Sequence, residues 1–84
     1  MPAANRLAEG LAKHRAGDLA AAEAIYRQIL AVEPAHAAAA HSLGVLLAQR
    51  GEHSEAEQHL RSAAALERDN PVFLFNLGNV VKAQ

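Results

Sequence analysis

The five glycines of this sequence recur at one fixed interval. Gly10, Gly44 and Gly78 are each 34 residues apart, and the same interval separates Gly17 from Gly51. A period of this length indicates a stack of structural repeats in which each unit packs against its neighbours. The same offset aligns further identical residues: Ala22 with Ala56, Glu23 with Glu57, Arg27 with Arg61, Ala31 with Ala65, Glu33 with Glu67 and Leu43 with Leu77.

Each repeat divides into two predicted helices joined by a tight turn. Alanine and leucine dominate the composition, and β-branched and aromatic residues are few, which predicts an all-α fold. Glycine at positions 17 and 51 can take the left-handed conformation that ends one helix before the next begins. We expect five helices, at about 4–16, 19–32, 36–50, 54–67 and 71–83.

Three residues or pairs predict where helices begin. Asp18 can cap the second helix with its side chain. Ser54 and Glu57 have the spacing of a capping box at the start of the fourth helix. Pro71 follows Asn70 and suits the first turn of the fifth helix.

Gly10, Gly44 and Gly78 are predicted to lie where the two helices of a unit touch. Small residues allow helices to approach closely, so larger residues of the neighbouring helix can fill the remaining space. The candidates for this filling are Tyr26, Ile29, Leu60 and Leu66. A Cβ at Gly44 would overpack the contact.

Composition excludes several classes of function. The chain has 84 residues, no cysteine and a formal net charge of −1. Disulfides and thiolate metal sites therefore do not supplement the small core. The mixed charges form no basic stripe for nucleic acid, and no apolar run approaches the roughly 20 residues of a membrane span. We expect a soluble, cytoplasmic protein that binds neither nucleic acid nor membrane.

The 34-residue period, together with a set of small and apolar residues, resembles the tetratricopeptide repeat. The residues that carry the resemblance are Leu43-Gly44, Leu47, Gly51, Ala56, Leu60 and Ala63, with Ala22, Tyr26 and Pro34 in the first unit and Leu77-Gly78 in a third. The chain departs from the pattern at Arg68, where Pro34 would repeat, and it lacks the aromatic residue often found in the first helix of units one and two.

The resemblance implies one array over residues 1–84, with repeat one at about 3–36, repeat two at about 37–70 and a half repeat at about 71–84. The implied fold is a right-handed α-solenoid of antiparallel helix hairpins. Its first helices line a concave groove that receives a peptide or a helix.

The residues of this groove follow from the resemblance. Only Asn76 suits the positions that hold a peptide carboxylate or backbone in well-known family members, so the lining is mainly apolar and fits an amphipathic helix or an extended apolar segment. Alternatively, the aliphatic residues of the first two units simply complete the core. The predicted partner-binding residues are Leu7, Leu11, His14, His41, Val45, Gln49, Val72, Phe75, Asn76 and Asn79, flanked by Arg15, His36, Ala48, Asn70 and Lys82.

The two ends of the predicted array differ. Arg6, Glu9 and Lys13 in the first helix replace apolar residues of the later units, which indicates an exposed outer edge and an array that starts near Met1. The fifth helix is apolar on more than one face and lacks a second helix beside it, so we expect part of a longer array or coverage by another copy. The predicted self-association residues are Phe73, Leu74, Leu77 and Val81.

No residue pattern indicates catalysis or a metal site. His36 and His41 are five residues apart, and His53 and His59 are six apart, so neither pair stacks on one helical face. The Glu–Arg pairs are typical of a solvated helix surface. We expect no enzyme activity, no cofactor and no metal.

Three functions remain open. The first is a protein–protein interaction scaffold that binds a peptide or amphipathic helix in its groove. The second is homo-oligomerisation through the apolar C-terminal helix. The third is the N-terminal, substrate-recruiting part of a larger enzyme, such as a glycosyltransferase or a sulfotransferase.

Overall fold

The structure, a computed structural model, describes residues 3–84, with side chains from Arg6 onward. The predicted start of the array at Met1 lies outside the described residues. The all-α prediction is confirmed, because no strand occurs in residues 3–84 and every helix end lies within one residue of its predicted position. The five helices are α1 (Ala3–Arg15), α2 (Leu19–Val32), α3 (Ala37–Gln49), α4 (His53–Leu66) and α5 (Pro71–Ala83).

The turns inside the two hairpins depend on glycine, as predicted. Gly17 has a φ of 85° and Gly51 a φ of 81°, in the left-handed region that L side chains rarely adopt. After the first turn, the Asp18 carboxylate accepts a hydrogen bond from the Ala21 N–H at 3.1 Å and caps α2. Each turn thus reverses the chain within three residues and brings the helices of its hairpin together.

The predicted capping box at the start of α4 is wrong. The helix begins at His53, and its N-cap is Glu52, whose side chain makes no capping hydrogen bond. Ser54 therefore lies inside the helix and cannot serve as its cap. Glu52 is the repeat equivalent of Asp18, but glutamate is not among the preferred N-cap residues, whose short side chains fold back onto the backbone.

Two residues predicted for the groove also cap helices. His36 Nδ1 accepts a hydrogen bond from the Ala39 N–H at 3.1 Å at the start of α3. Asn70 Oδ1 accepts one from the Phe73 N–H at 3.3 Å at the start of α5, where Pro71 occupies the first turn as predicted. Both side chains satisfy backbone donors that the helix itself leaves unpaired.

The helices alternate between two faces of the molecule. α2 packs between α1 and α3, and α4 packs between α3 and α5. α3 also contacts both α1 and α5, so these three first helices lie side by side along one face. The core is filled by large side chains from α2, α3 and α4. Its fully buried members are Tyr26, Leu43, Leu46, Leu47 and Leu60.

Two of the three predicted helix-contact glycines are confirmed. A Cβ built at Gly10 would lie 2.7 Å from Tyr26 Cε1, and one built at Gly44 would lie 2.7 Å from Leu60 Cγ. At Gly78 nothing lies within 4 Å. Leu66 was predicted to fill space at these contacts, but its side chain is 46% exposed and does not do so. The first two glycines are thus required by a close approach, whereas the third faces open space.

Charged side chains join the outer edges of successive repeats. Arg27 Nη2 donates to Glu55 Oε2 at 2.8 Å, and Arg50 donates to Glu23. Arg50 and Arg27 lower the pKa of the Glu23 carboxyl, and Arg27 lowers that of Glu55. Because these pairs are largely exposed, each contributes only some tenths of a kcal/mol. These contacts connect α2 to α4 and to the end of α3.

The predicted charged edge of α1 faces outward. Glu9 and Lys13 are exposed, and Arg6 contacts both Glu9, at 3.4 Å, and the side-chain amide of Gln28 on α2. The leucines of α1 are half-buried against the core. A charged outer edge and a buried leucine stripe therefore coexist on one helix.

No helix in residues 3–84 is long and apolar enough to span a membrane.

Alanine substitution at two repeat-equivalent glycines should have opposite effects on stability. Gly44→Ala places a Cβ against Leu60, and overpacking of this kind costs about 1–3 kcal/mol. Gly78→Ala meets no neighbour and gains up to about 1 kcal/mol of helix propensity. The gain in propensity is common to both variants, so the difference between them isolates the helix contact. Urea unfolding followed by circular dichroism measures both free energies, and equal values would contradict the packing account.

Candidate functional site

The candidate site is the surface formed by α1, α3 and α5, which we call the groove face. A cleft of about 240 Å³ opens between α3, α4 and α5 on this side of the molecule. It brings together four of the predicted partner-binding residues, from two different repeats. The cleft is lined by Val45, Ala48, Gln49, Leu60, Asn76, Asn79 and Val80.

The floor of this cleft was not predicted. Leu60 comes from α4, which sequence reasoning assigned to the hairpin contact, and Val80 comes from the buried side of α5. A signal for Val80 was present, because it follows Asn76 by four residues and therefore lies on the same side of the helix. No comparable signal points to Leu60, since its position under the cleft depends on how the helices pack.

The first part of the groove face is held by a hydrogen-bonded histidine. His14 Nε2 lies 2.7 Å from Gln49 Oε1, and His14 Nδ1 lies 3.1 Å from the Tyr26 hydroxyl. The amide oxygen can only accept, so Nε2 carries the proton, and in the neutral ring Nδ1 accepts from the hydroxyl. Burial raises the pKa of the Tyr26 phenol, against a smaller lowering by the Ser42 hydroxyl. This chain of contacts links α1, α2 and α3.

A second histidine links α3 to α5. Asn76 Nδ2 donates to His41 Nε2 at 2.8 Å, and the His41 ring stacks on Phe73 with centroids 4.5 Å apart. Burial lowers the pKa of His41 below its ordinary value of 6.5. The Asn76 amide nitrogen can only donate, so Nε2 accepts in this contact. His41 and Asn76, both predicted groove residues, thus connect the second repeat to the half repeat.

The other predicted groove residues do not share the cleft. Leu7 and Leu11 on α1 are half-buried against the core, so they complete it while keeping part of their surface accessible. Val72 is exposed on α5, and Phe75 is 67% exposed there. The groove face thus consists of one formed cleft and separate apolar side chains on either side of it.

One side of α5, which we call the open face, lacks the neighbour that its counterpart in α3 has. The open face consists of Leu74, Gly78 and Val81. Leu74 is 49% and Val81 43% exposed, whereas their repeat equivalents in α3 are at most 2% exposed under α4. Leu77 is half-buried against the core.

Phe73 does not belong to the surface predicted for self-association. Its side chain is 6% exposed and packs against Ala37, Ala40 and Ala63. Alanine at these positions leaves room for the ring, which fills the space between α3, α4 and α5. The two phenylalanines of α5 thus point to opposite surroundings, as their spacing of two residues requires.

Within the described part of the chain, no three histidine, aspartate or glutamate side chains lie close enough to hold a metal ion.

Neutral His41 should make the stability of the fold depend on pH. Its folded-state pKa is lowered, so its contribution is fully present above about pH 6.5 and is lost as the pH falls through the folded-state pKa. We expect the free energy of unfolding to fall more between pH 7 and pH 5 in the wild type than in His41→Gln, whose amide oxygen still accepts from Asn76. Glu23 and Glu55 have lowered pKa values, so their contribution to stability is lost only below about pH 4.5, outside this pH range. Parallel pH profiles would contradict the assignment.

The comparison with known families agrees with this geometry. A sequence model for the tetratricopeptide repeat matches residues 13–77, which include all of α2, α3 and α4. None of the functionally curated proteins compared with the chain matches it. Repeats of this family are typically non-catalytic modules for interaction between proteins. The match covers well over half of the sequence, and the chain therefore belongs to the tetratricopeptide repeat family.

Proposed function

We propose that this interaction scaffold binds its partner by taking an apolar segment, helical or extended, onto the groove face. The observation that carries the proposal is the cleft between α3, α4 and α5. Its floor is apolar, because Leu60 and Val80 form it, and Val45 adds an apolar wall. Burial of an apolar side chain there would contribute roughly 1.5–3 kcal/mol.

The size of the cleft favours a side chain over a free small molecule. Its volume of about 240 Å³ lies below the roughly 300 Å³ at which pockets for drug-sized ligands begin. No charged residue lines it, so it offers no opposite charge to a phosphate or a carboxylate. These features support recognition of a neutral, apolar part of a protein.

The rim of the cleft adds hydrogen-bonding groups for a bound backbone. Gln49 and Asn76 each use one end of the amide on a histidine, which leaves the Gln49 amide nitrogen and the Asn76 amide oxygen available. Asn79 is exposed at the same rim. Fixed amides beside an apolar floor suit a peptide whose side chain enters the cleft while its backbone pairs at the edge.

The proposal predicts that charge in the cleft weakens binding while charge elsewhere does not. Peptides of 16 residues would be selected from a displayed library against the intact chain, and their affinities measured by calorimetry. Val45→Glu should weaken binding at least tenfold, because it buries an unpaired carboxylate in the apolar wall. Val32→Glu is the matched control, since Val32 is 81% exposed at the end of α2.

Two further results decide the outcome. Phe75→Ser removes an exposed side chain of the groove face, so it should weaken binding without loss of the helical circular dichroism signal. If selected peptides bind Val45→Glu and Phe75→Ser as tightly as the wild type, and both variants remain folded, the groove face is not the binding site.

Two alternatives stay predictions. Homo-oligomerisation through α5 calls for an apolar surface, and Leu74 and Val81 provide part of one. The mass of the chain by sedimentation, over a hundredfold range of concentration, tests it. A role as the substrate-recruiting part of a larger enzyme depends on sequence outside these 84 residues.

A further inference from the structure

The open face of α5 is equivalent to surfaces of α1 and α3 that a neighbouring helix covers. In α3, the equivalent surface is covered by α4, and Leu60 of α4 packs directly over Gly44. In α1, Tyr26 of α2 packs over Gly10 in the same way. At Gly78 nothing lies within 4 Å. The empty space beside Gly78, which we call the Gly78 slot, therefore admits a large side chain from a helix that packs on α5 as closely as α4 packs on α3.

A charged group at the edge of the same site also lacks its counterpart. Arg27 contacts Glu23 on its own helix and Glu55 on the helix of the next repeat. Arg61, its repeat equivalent, contacts Glu57 on its own helix at 2.6 Å, and within residues 3–84 no carboxylate takes the place of Glu55. Its side chain is 59% exposed, against 43% for Arg27. A carboxylate on a docked helix could complete this pair.

We propose that the open face binds an amphipathic α-helix of a partner protein with the pattern Glu-Ala-x-x-x-Leu. The alanine and leucine are the equivalents of Ala56 and Leu60, and they bring the helix close enough for the leucine to enter the Gly78 slot. The glutamate is the equivalent of Glu55 and pairs with Arg61. This site is separate from the cleft of the groove face, since Leu74 and Val81 of the open face lie on the other side of α5 from Asn76 and Asn79.

A second copy of the chain fits this site poorly. α4 carries the required pattern, but its Ala56 and Leu60 are fully buried in the folded chain and cannot be offered to another copy. α5 has no acidic residue, and its one charged residue is Lys82, so a symmetric pair of α5 helices would leave Arg61 without a second carboxylate. The charge and the slot both favour a partner helix with an acidic edge.

The probe for this proposal is a fluorescein-labelled peptide with the sequence of residues 53–66. A short peptide is only marginally helical, so a side-chain crosslink between positions 58 and 62, both exposed in α4, holds it in the helical form. Fluorescence anisotropy with the intact chain measures binding. A control peptide with Leu60→Gln lacks the side chain that fills the slot and should bind at least tenfold more weakly.

Gly78→Ala separates docking from folding. It should raise the stability of the free chain, because the Cβ meets nothing there, and should lower affinity for the peptide at least about fivefold, because the Cβ then clashes with the leucine. Arg61→Glu should weaken binding about twofold to fivefold, and a peptide with Glu55→Lys should restore it. Val72→Ser, which changes an exposed side chain on the groove side of α5, should leave the affinity unchanged.

Three results would overturn the proposal. The first is no binding of the crosslinked peptide at concentrations where the chain sediments as a monomer. The second is equal affinity of the wild type and Gly78→Ala for the peptide. The third is a stable dimer that Leu74→Asp dissociates and that does not bind the peptide, because the open face would then be covered by a second copy. A failure of the groove variants leaves this test unaffected, since it involves different residues.

Discussion

The close contact between a glycine of one helix and a large side chain of the next determines most of this structure. Gly10 meets Tyr26 and Gly44 meets Leu60, each with no room for a methyl group. A chain of 84 residues has a small core, so it depends on helices that approach closely enough to exclude water from leucine and tyrosine. The same contact occurs in the first two units, 34 residues apart, so the two hairpins are built alike and pack against each other.

The surface proposed to bind partners is also the surface that joins the repeats. His14 connects α1 and α2 with Gln49, and His41 connects α3 with Asn76. The groove face therefore combines hydrogen-bonded contacts between helices with a mainly apolar lining. Binding and stability are therefore coupled there, and charge introduced at such a contact would alter both.

Much of the fold could be predicted because its signals are local or periodic. The turn glycines, the Asp18 cap and Pro71 each act within one turn of helix, and their predicted roles are confirmed. The Ser54 prediction is wrong because residue type was considered without the repeat, which places Glu52 at the cap. The roles of the predicted groove residues were harder to predict, since His36 and Asn70 also satisfy backbone donors at the starts of α3 and α5.

By itself, the sequence determined the number of helices, their ends and the spacing of the contacts between them. Turn chemistry acts between residues near in the chain, and the 34-residue period can be read directly from the positions of the glycines. Only the tertiary structure decided which apolar residues of α5 are buried. Phe73 fills a gap between alanines of α3 and α4, whereas Leu74, next to it in the chain, is left exposed beside Gly78. Burial depends on what lies opposite a side chain, and for α5 that is set by helices distant in sequence.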